Sequence, residues 1–159
     1  MKSTKPILLT IALAAFGLIG GALYFQIVQY MEPCPWCVIQ RYLFMATGIT
    51  CLVSLLLSAK GTRRGIWLAL LFAMGGAASA GWHVWIKAHP SISCGLDPME
   101  TSLNHIFTAK LLPVLFRANG MCTDELDPFL GLQLPSWSLI WFTGFVIVLG
   151  LLAWRGKKA

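Results

Sequence analysis

Cys34 and Cys37 form a C-P-W-C motif, and Cys94 and Cys122 stand far downstream. A C-x-x-C closes a very small ring, so a bond within it restricts the unfolded chain little. The motif occurs more often as a redox pair or as half of a metal site. Cys94 and Cys122 fit a redox pair or a structural bridge. A disulfide between them would restrict the unfolded loop by roughly 3–4 kcal/mol. A zinc site from all four cysteines is disfavoured, because only one knuckle is present and the second pair is widely spaced. No metal is expected. Cys51 is the odd one out; inside an apolar run a cysteine is a small packing residue.

Arg41 follows Cys37 by four positions, which on a helix places it one turn below on the same face. It enters an apolar stretch with no acidic residue in its own helix. A charge within a membrane is costly and marks a functional site by default. Snorkelling toward the headgroups is the alternative, and the sequence does not decide between them. The guanidinium and the start of the helix would both favour the thiolate of Cys37. A thiolate at the membrane boundary beside an arginine suits a polar-headed, lipid-soluble acceptor. A quinone is such an acceptor, and the guanidinium would stabilise its reduced oxygens.

These residues need elements to hold them. The 159-residue chain is 57% apolar and 11% charged. A soluble domain averages about 45–50% apolar and about 25% charged. Four stretches are long and apolar enough to cross a bilayer, approximately 7–30, 38–59, 65–86 and 136–154. The expected architecture is an all-α integral membrane protein forming a single membrane domain over 1–159. It is a bundle of four transmembrane helices with loops at 31–37 and 87–135. The net charge of +6 is segregated. Lys2, Lys5, Lys60, Arg63, Arg64, Arg155, Lys157 and Lys158 fall on one side if the helices alternate. Glu32, Asp97, Glu100, Asp124, Glu125 and Asp127 fall on the other. Lys and Arg mark the cytoplasmic side, so both termini are expected there, with both cysteine-bearing loops facing outward into an oxidising compartment. No basic patch carries interleaved exposed aromatics, which argues against nucleic acid. Trp36, Trp82, Trp85 and Trp137 near one set of span ends, and Trp67 and Trp154 near the other, suit interfacial belts. The first apolar run continues well past Ala12 and Ala14, too far for a cleaved signal segment.

Gly17, Gly20 and Gly21 in the first span, and the run Gly75 to Gly81 in the third, predict close helix packing. In the long loop, Leu103, Ile106, Phe107, Leu111, Val114 and Leu115 recur at helical spacing. They predict one or two short helices on the membrane surface, broken or kinked at Pro113. Asn119-Gly120 is a turn signal. Phe129, Leu130, Leu132 and Leu134 are expected to return the chain to the interface. There is no Gly-rich phosphate loop, HExxH or GxSxG.

The four spans, the segment P-C-P-W-C-V-I-Q-R-Y and the segment N-G-M-C followed by F-L-G-L-Q-L-P-S-W together resemble the DsbB family of bacterial disulfide bond formation proteins. The resemblance covers nearly the whole chain. It implies an inner-membrane thiol:quinone oxidoreductase that reoxidises a DsbA-like periplasmic thiol oxidase and passes electrons to ubiquinone or menaquinone. It further implies that Cys94 takes the partner's attack, that Cys122 then turns to Cys34, and that Cys37 contacts the quinone with Arg41 beside it. A histidine near the outer end of the third helix is implied as an assistant, and His83 and His89 both stand there. Gln40 occupies a position where some family members carry an acid. Such a partner is a strong oxidant, at about −120 mV, so its reoxidation needs a still stronger sink. Two alternatives remain. One is a thiol–quinone enzyme of the vitamin K epoxide reductase type, although there the C-x-x-C lies late in the chain. The other is a structural membrane protein with two inert disulfides or a metal site.

Overall fold

The computed structural model describes residues 4–89, 96–120 and 129–155, and Cys94 and Cys122 lie outside them. The described residues form four long helices: α1 (Thr4–Val28), α2 (Pro35–Leu56), α3 (Ala59–Ala88) and α7 (Leu134–Arg155). Three short helices, α4 (Leu96–His105), α5 (Phe107–Leu111) and α6 (Pro113–Phe116), come between α3 and α7. All four long helices have the length and apolarity needed to cross a membrane. The shortest have 22 residues, about 33 Å at about 1.5 Å per residue, against a hydrocarbon core of about 30 Å.

α1 packs on α2, α2 on α3, and α3 on α7. At the centre the Phe44 ring stacks on Phe142, centroids 3.8 Å apart, and Phe145 meets Phe44 edge-on. Gly76 of α3 lies under this stack; a Cβ there would stand 2.1 Å from the Phe142 ring. The close packing expected of the third span is therefore found. The glycines of α1 behave differently. A Cβ on Gly17, Gly20 or Gly21 would meet nothing within 4 Å. α1 and α7 share no extensive face, and the side of the bundle between them is open. Leu9, Leu13, Leu71, Ile147 and Leu151 are exposed on its surface. Such side chains are at home in lipid, where apolar surface carries no penalty.

The α2–α3 turn is tied by Thr62. Its hydroxyl lies 3.0 Å from the Ser54 carbonyl oxygen and 3.1 Å from that of Ser58. At the opposite end, α4 to α6 fold against α2. Phe116 stacks on Tyr42 at 4.2 Å, and the Tyr42 hydroxyl hydrogen-bonds that of Thr108. Asn104 secures the segment by donating to the Ala118 carbonyl and accepting the Ala118 N–H, both at 2.9 Å. Three short helices form where one or two were expected. Pro113 starts α6 and disfavours a helical Leu112, as foreseen. A further break falls at Ile106, whose extended backbone separates α4 from α5.

Candidate functional site

α2 begins at the first redox motif. Cys34 is its N-cap, with extended backbone, and Pro35 occupies the first turn. Proline suits that position because its missing N–H would be unpaired there in any case. The Cys34 sulfur accepts the Cys37 N–H at 3.4 Å, and the two sulfurs stand 3.0 Å apart. The helix start thus draws the pair together. Cys34 is buried, whereas Cys37 is partly exposed. Trp36, between them in sequence, packs with Cys34, Cys37 and Ile86, and its buried indole N–H has no hydrogen-bond partner among the described residues.

α3 brings His83 to the same point. Its Nε2 lies 3.6 Å from the Cys34 sulfur and its Nδ1 lies 3.4 Å from Nε2 of Gln40. The residue is 2% exposed. Where the amide donates its N–H to Nδ1, that nitrogen is the acceptor and the proton stands on Nε2, facing sulfur. His89, which the sequence left equivalent to His83, instead lies against Trp85 with its ring tilted, at the exposed end of α3.

Arg41 is 6% exposed. Its Nη1 donates to Oε1 of Gln26 on α1 at 2.8 Å and to the Leu115 carbonyl at 3.1 Å. The guanidinium is therefore held inside the protein, joining α1, α2 and the segment after α5. It does not extend along the surface. Gln26 was missed from the sequence, although a lone amide in the apolar second half of α1 is a signal of its own. Cys51 is fully buried in the bundle core, as a packing residue would be.

The open side of the bundle holds a cavity of about 510 Å³. α1 contributes Gly17, Gly21 and Phe25, and α7 contributes Trp137 and Trp141. Cys37 of α2 supplies its sulfur, and Gln40 and Arg41 of α2, Glu32 and Ser138 line it with polar groups. Phe129 and Leu130 also line it. They belong to a tight turn with Leu130 and Gly131 both at positive φ, closed by a bridge between Phe129 and Leu132. The return of this segment to the bundle is visible in the edge-on contact of Phe129 with Phe25 and in the Trp137 indole donating to the Phe129 carbonyl at 3.0 Å.

Pro33, next to Cys34, is the anchor for the end of the second described segment. Its carbonyl accepts the N–H groups of both Asn119 and Gly120 at 3.1 Å. A Cβ on Gly120 would stand 2.3 Å from the Glu32 carbonyl oxygen. Only glycine permits this approach. Cys122 follows two residues later in the sequence.

A four-span bundle with a cysteine pair at the mouth of an intramembrane cavity defines a membrane-bound thiol oxidoreductase. Comparison with known proteins agrees. The family model for the disulfide bond formation protein DsbB matches residues 4–152. A disulfide bond formation protein B of Herminiimonas arsenicoxydans is 50% identical over 158 residues, covering 99% of this chain and all of the relative. Those of Ralstonia nicotianae and Nitrosomonas europaea are 43% and 40% identical, over 92% and 97% of this chain and 92% and 95% of their own. The chain belongs to the DsbB family. It is accordingly a multi-pass inner-membrane oxidoreductase that generates disulfides with a quinone as electron acceptor.

Proposed function

We propose that Cys94 and Cys122 receive electrons from a DsbA-like thiol oxidase and that Cys34 and Cys37 deliver them to ubiquinone or menaquinone in the cavity between α1 and α7. A thiolate of the reduced partner attacks the Cys94 sulfur of a Cys94–Cys122 disulfide, and Cys122 leaves as a thiolate. Cys122 attacks Cys34 of the second disulfide, and Cys37 leaves, facing the cavity. The partner's second thiol displaces Cys94 as its own disulfide forms. Cys94 then attacks Cys122 and releases Cys34. The reduced Cys34 and Cys37 pass two electrons to the quinone, two protons follow, and quinol departs as their disulfide re-forms.

The observation that carries this reading is the division of labour within one cysteine pair. Cys37 lines the cavity with Arg41, while the Cys34 side is docked through Pro33 to the chain leading to Cys122. His83 supports the release of Cys34, since an Nε2–H directed at sulfur stabilises a departing thiolate. Charge segregation supports an orientation with 31–37 and 87–135 in the periplasm and both termini in the cytoplasm. The decisive experiment supplies purified protein with a reduced DsbA-type donor and follows quinone reduction. Stoichiometric quinol formation, lost when Cys37 or Cys94 becomes serine, is expected. Quinol formation that survives both substitutions would overturn the assignment.

A further inference from the structure

Cys34, Cys37 and His83 bring their two sulfurs and one imidazole nitrogen within 4.8 Å of one another, in a largely buried position. Oxidised, the cysteines offer no thiolate. Reduced, they offer two, beside a histidine. We propose that the reduced pair and His83 form a three-ligand site for a divalent thiophilic cation of the zinc class, and that such an ion holds the pair reduced and halts electron delivery.

The geometry is close to what such an ion needs. Tetrahedral zinc takes sulfur at about 2.3 Å and imidazole nitrogen at about 2.0–2.1 Å, which sets neighbouring ligand atoms roughly 3.5–3.8 Å apart. The separation of Cys34 Sγ from His83 Nε2, 3.6 Å, already meets this. The two sulfurs, 3.0 Å apart, need to open by roughly 0.7 Å, and Cys37 Sγ, within 4.8 Å of the imidazole nitrogen, needs to close on it to roughly 3.5 Å, which asks for a side-chain rotation at Cys37. Two thiolates, one divalent ion and a neutral imidazole carry no net charge among themselves, so the bound set adds none to a buried position beside Arg41.

Gln40 makes the imidazole available. With its amide N–H turned to Nδ1, the proton stands on Nε2. A half-turn of the amide presents its oxygen instead, accepts a proton on Nδ1 and frees the Nε2 lone pair for metal. Ligating histidines are held by a partner on their other nitrogen, and that partner tunes affinity by about ten- to a hundredfold. Binding releases two thiol protons to solvent and transfers no electrons. The binding itself rests on the three side chains alone; only its effect on turnover rests on the relay proposed above.

The test uses full-length protein carrying Cys94→Ser and Cys122→Ser, reduced, and titrated anaerobically with cadmium ion, whose thiolate complexes absorb in the ultraviolet. One ion per protein with the absorbance of two thiolates is expected, and none after oxidation. His83→Gln should weaken binding by about tenfold or more, whereas Gln40→Glu should tighten it. X-ray absorption of the zinc-loaded protein with native His83 should show two sulfur neighbours and a histidine nitrogen, a measurement that needs no foldable His83 variant. In otherwise native protein, zinc should arrest quinone reduction and a chelator should restore it. Absence of the thiolate band, or a sulfur-only zinc environment, would overturn the site. A bound ion that leaves quinone reduction untouched would overturn the arrest and leave the binding geometry standing.

Discussion

Gly120 and Pro33 join two distant parts of the chain through a backbone hydrogen bond of 3.1 Å, at a place where a side chain on residue 120 would strike Glu32. The contact sets the strand of chain before Cys122 against the residue before Cys34. Gly120→Ala should separate them. Losing the two hydrogen bonds to Pro33, at about 1 kcal/mol each, predicts roughly ten- to thirtyfold slower electron transfer from the outer-loop pair to Cys34. Rapid-quench alkylation of the four thiols measures that step. Quinone oxidation of a reduced Cys34–Cys37 pair, followed separately, should be unchanged, and equal slowing of both steps would contradict the docking role.

The relay predicts different trapped states for the two outer cysteines. Cys94→Ser should abolish reaction with the soluble partner while leaving Cys34 and Cys37 oxidisable by quinone. In Cys122→Ser, Cys94 has no disulfide to offer reduced partner; its free thiolate should instead open the disulfide of oxidised partner and accumulate a mixed disulfide with it. Non-reducing gels after acid quench distinguish them. Unimpaired partner oxidation in both variants would make this pair structural.

Arg41→Ala should weaken apparent quinone affinity by roughly ten- to a hundredfold, from the loss of a charge-assisted hydrogen bond of about 1.5–3 kcal/mol. Lysine should rescue in part, keeping the charge without the planar fork. Because Arg41 also holds Gln26 and the Leu115 carbonyl, Gln26→Ala serves as a control for lost packing. A quinone KM unchanged in Arg41→Ala, with turnover retained, would confine the arginine to that structural junction.

Glycine substitutions should separate cavity from core. Gly21→Leu enters open space beside the cavity, so the protein should fold normally while its quinone KM rises several-fold. Gly76→Ala meets the Phe142 ring, and overpacking of this kind costs about 1–3 kcal/mol. Its melting temperature in detergent should fall with quinone affinity little altered in the folded fraction. The reverse pattern would mean that the cavity wall and the bundle core have been misassigned.

Topology has its own test. A membrane-impermeant thiol reagent applied to intact, reduced spheroplasts should label Cys94. Labelling only after the inner membrane is opened would invert the orientation argued from the charges.

The sequence displayed the part of the site that lies along α2. Cys34, Cys37 and Arg41 share α2, so their spacing and the 3.6-residue repeat were enough to place them one above another. The apolar runs gave the four spans because bilayer thickness leaves little freedom in their length. What joins helices was hidden. His83 reaches Cys34 only through the way α3 lies on α2, and nothing in the spacing of α3 separates it from His89. Gln26 meets Arg41 across an α1–α2 contact whose register no local pattern records. Gly120 read as a turn residue, while its close approach to Glu32 depends on a segment far upstream. The glycines of α1 read like those of α3, yet Gly76 of α3 meets a phenyl ring while Gly17, Gly20 and Gly21 border empty space.

The open side between α1 and α7 turns the search for the acceptor into a problem of two dimensions. A quinone approaching Cys37 from within the bilayer is counted per lipid, and its supply is indifferent to the volume of water around the cell. The thiol donor is counted per volume of periplasm. The same catalyst therefore answers to two independent concentrations. Diluting a proteoliposome suspension should slow only the donor's arrival, and enriching its vesicles with inert lipid should slow only the quinone's.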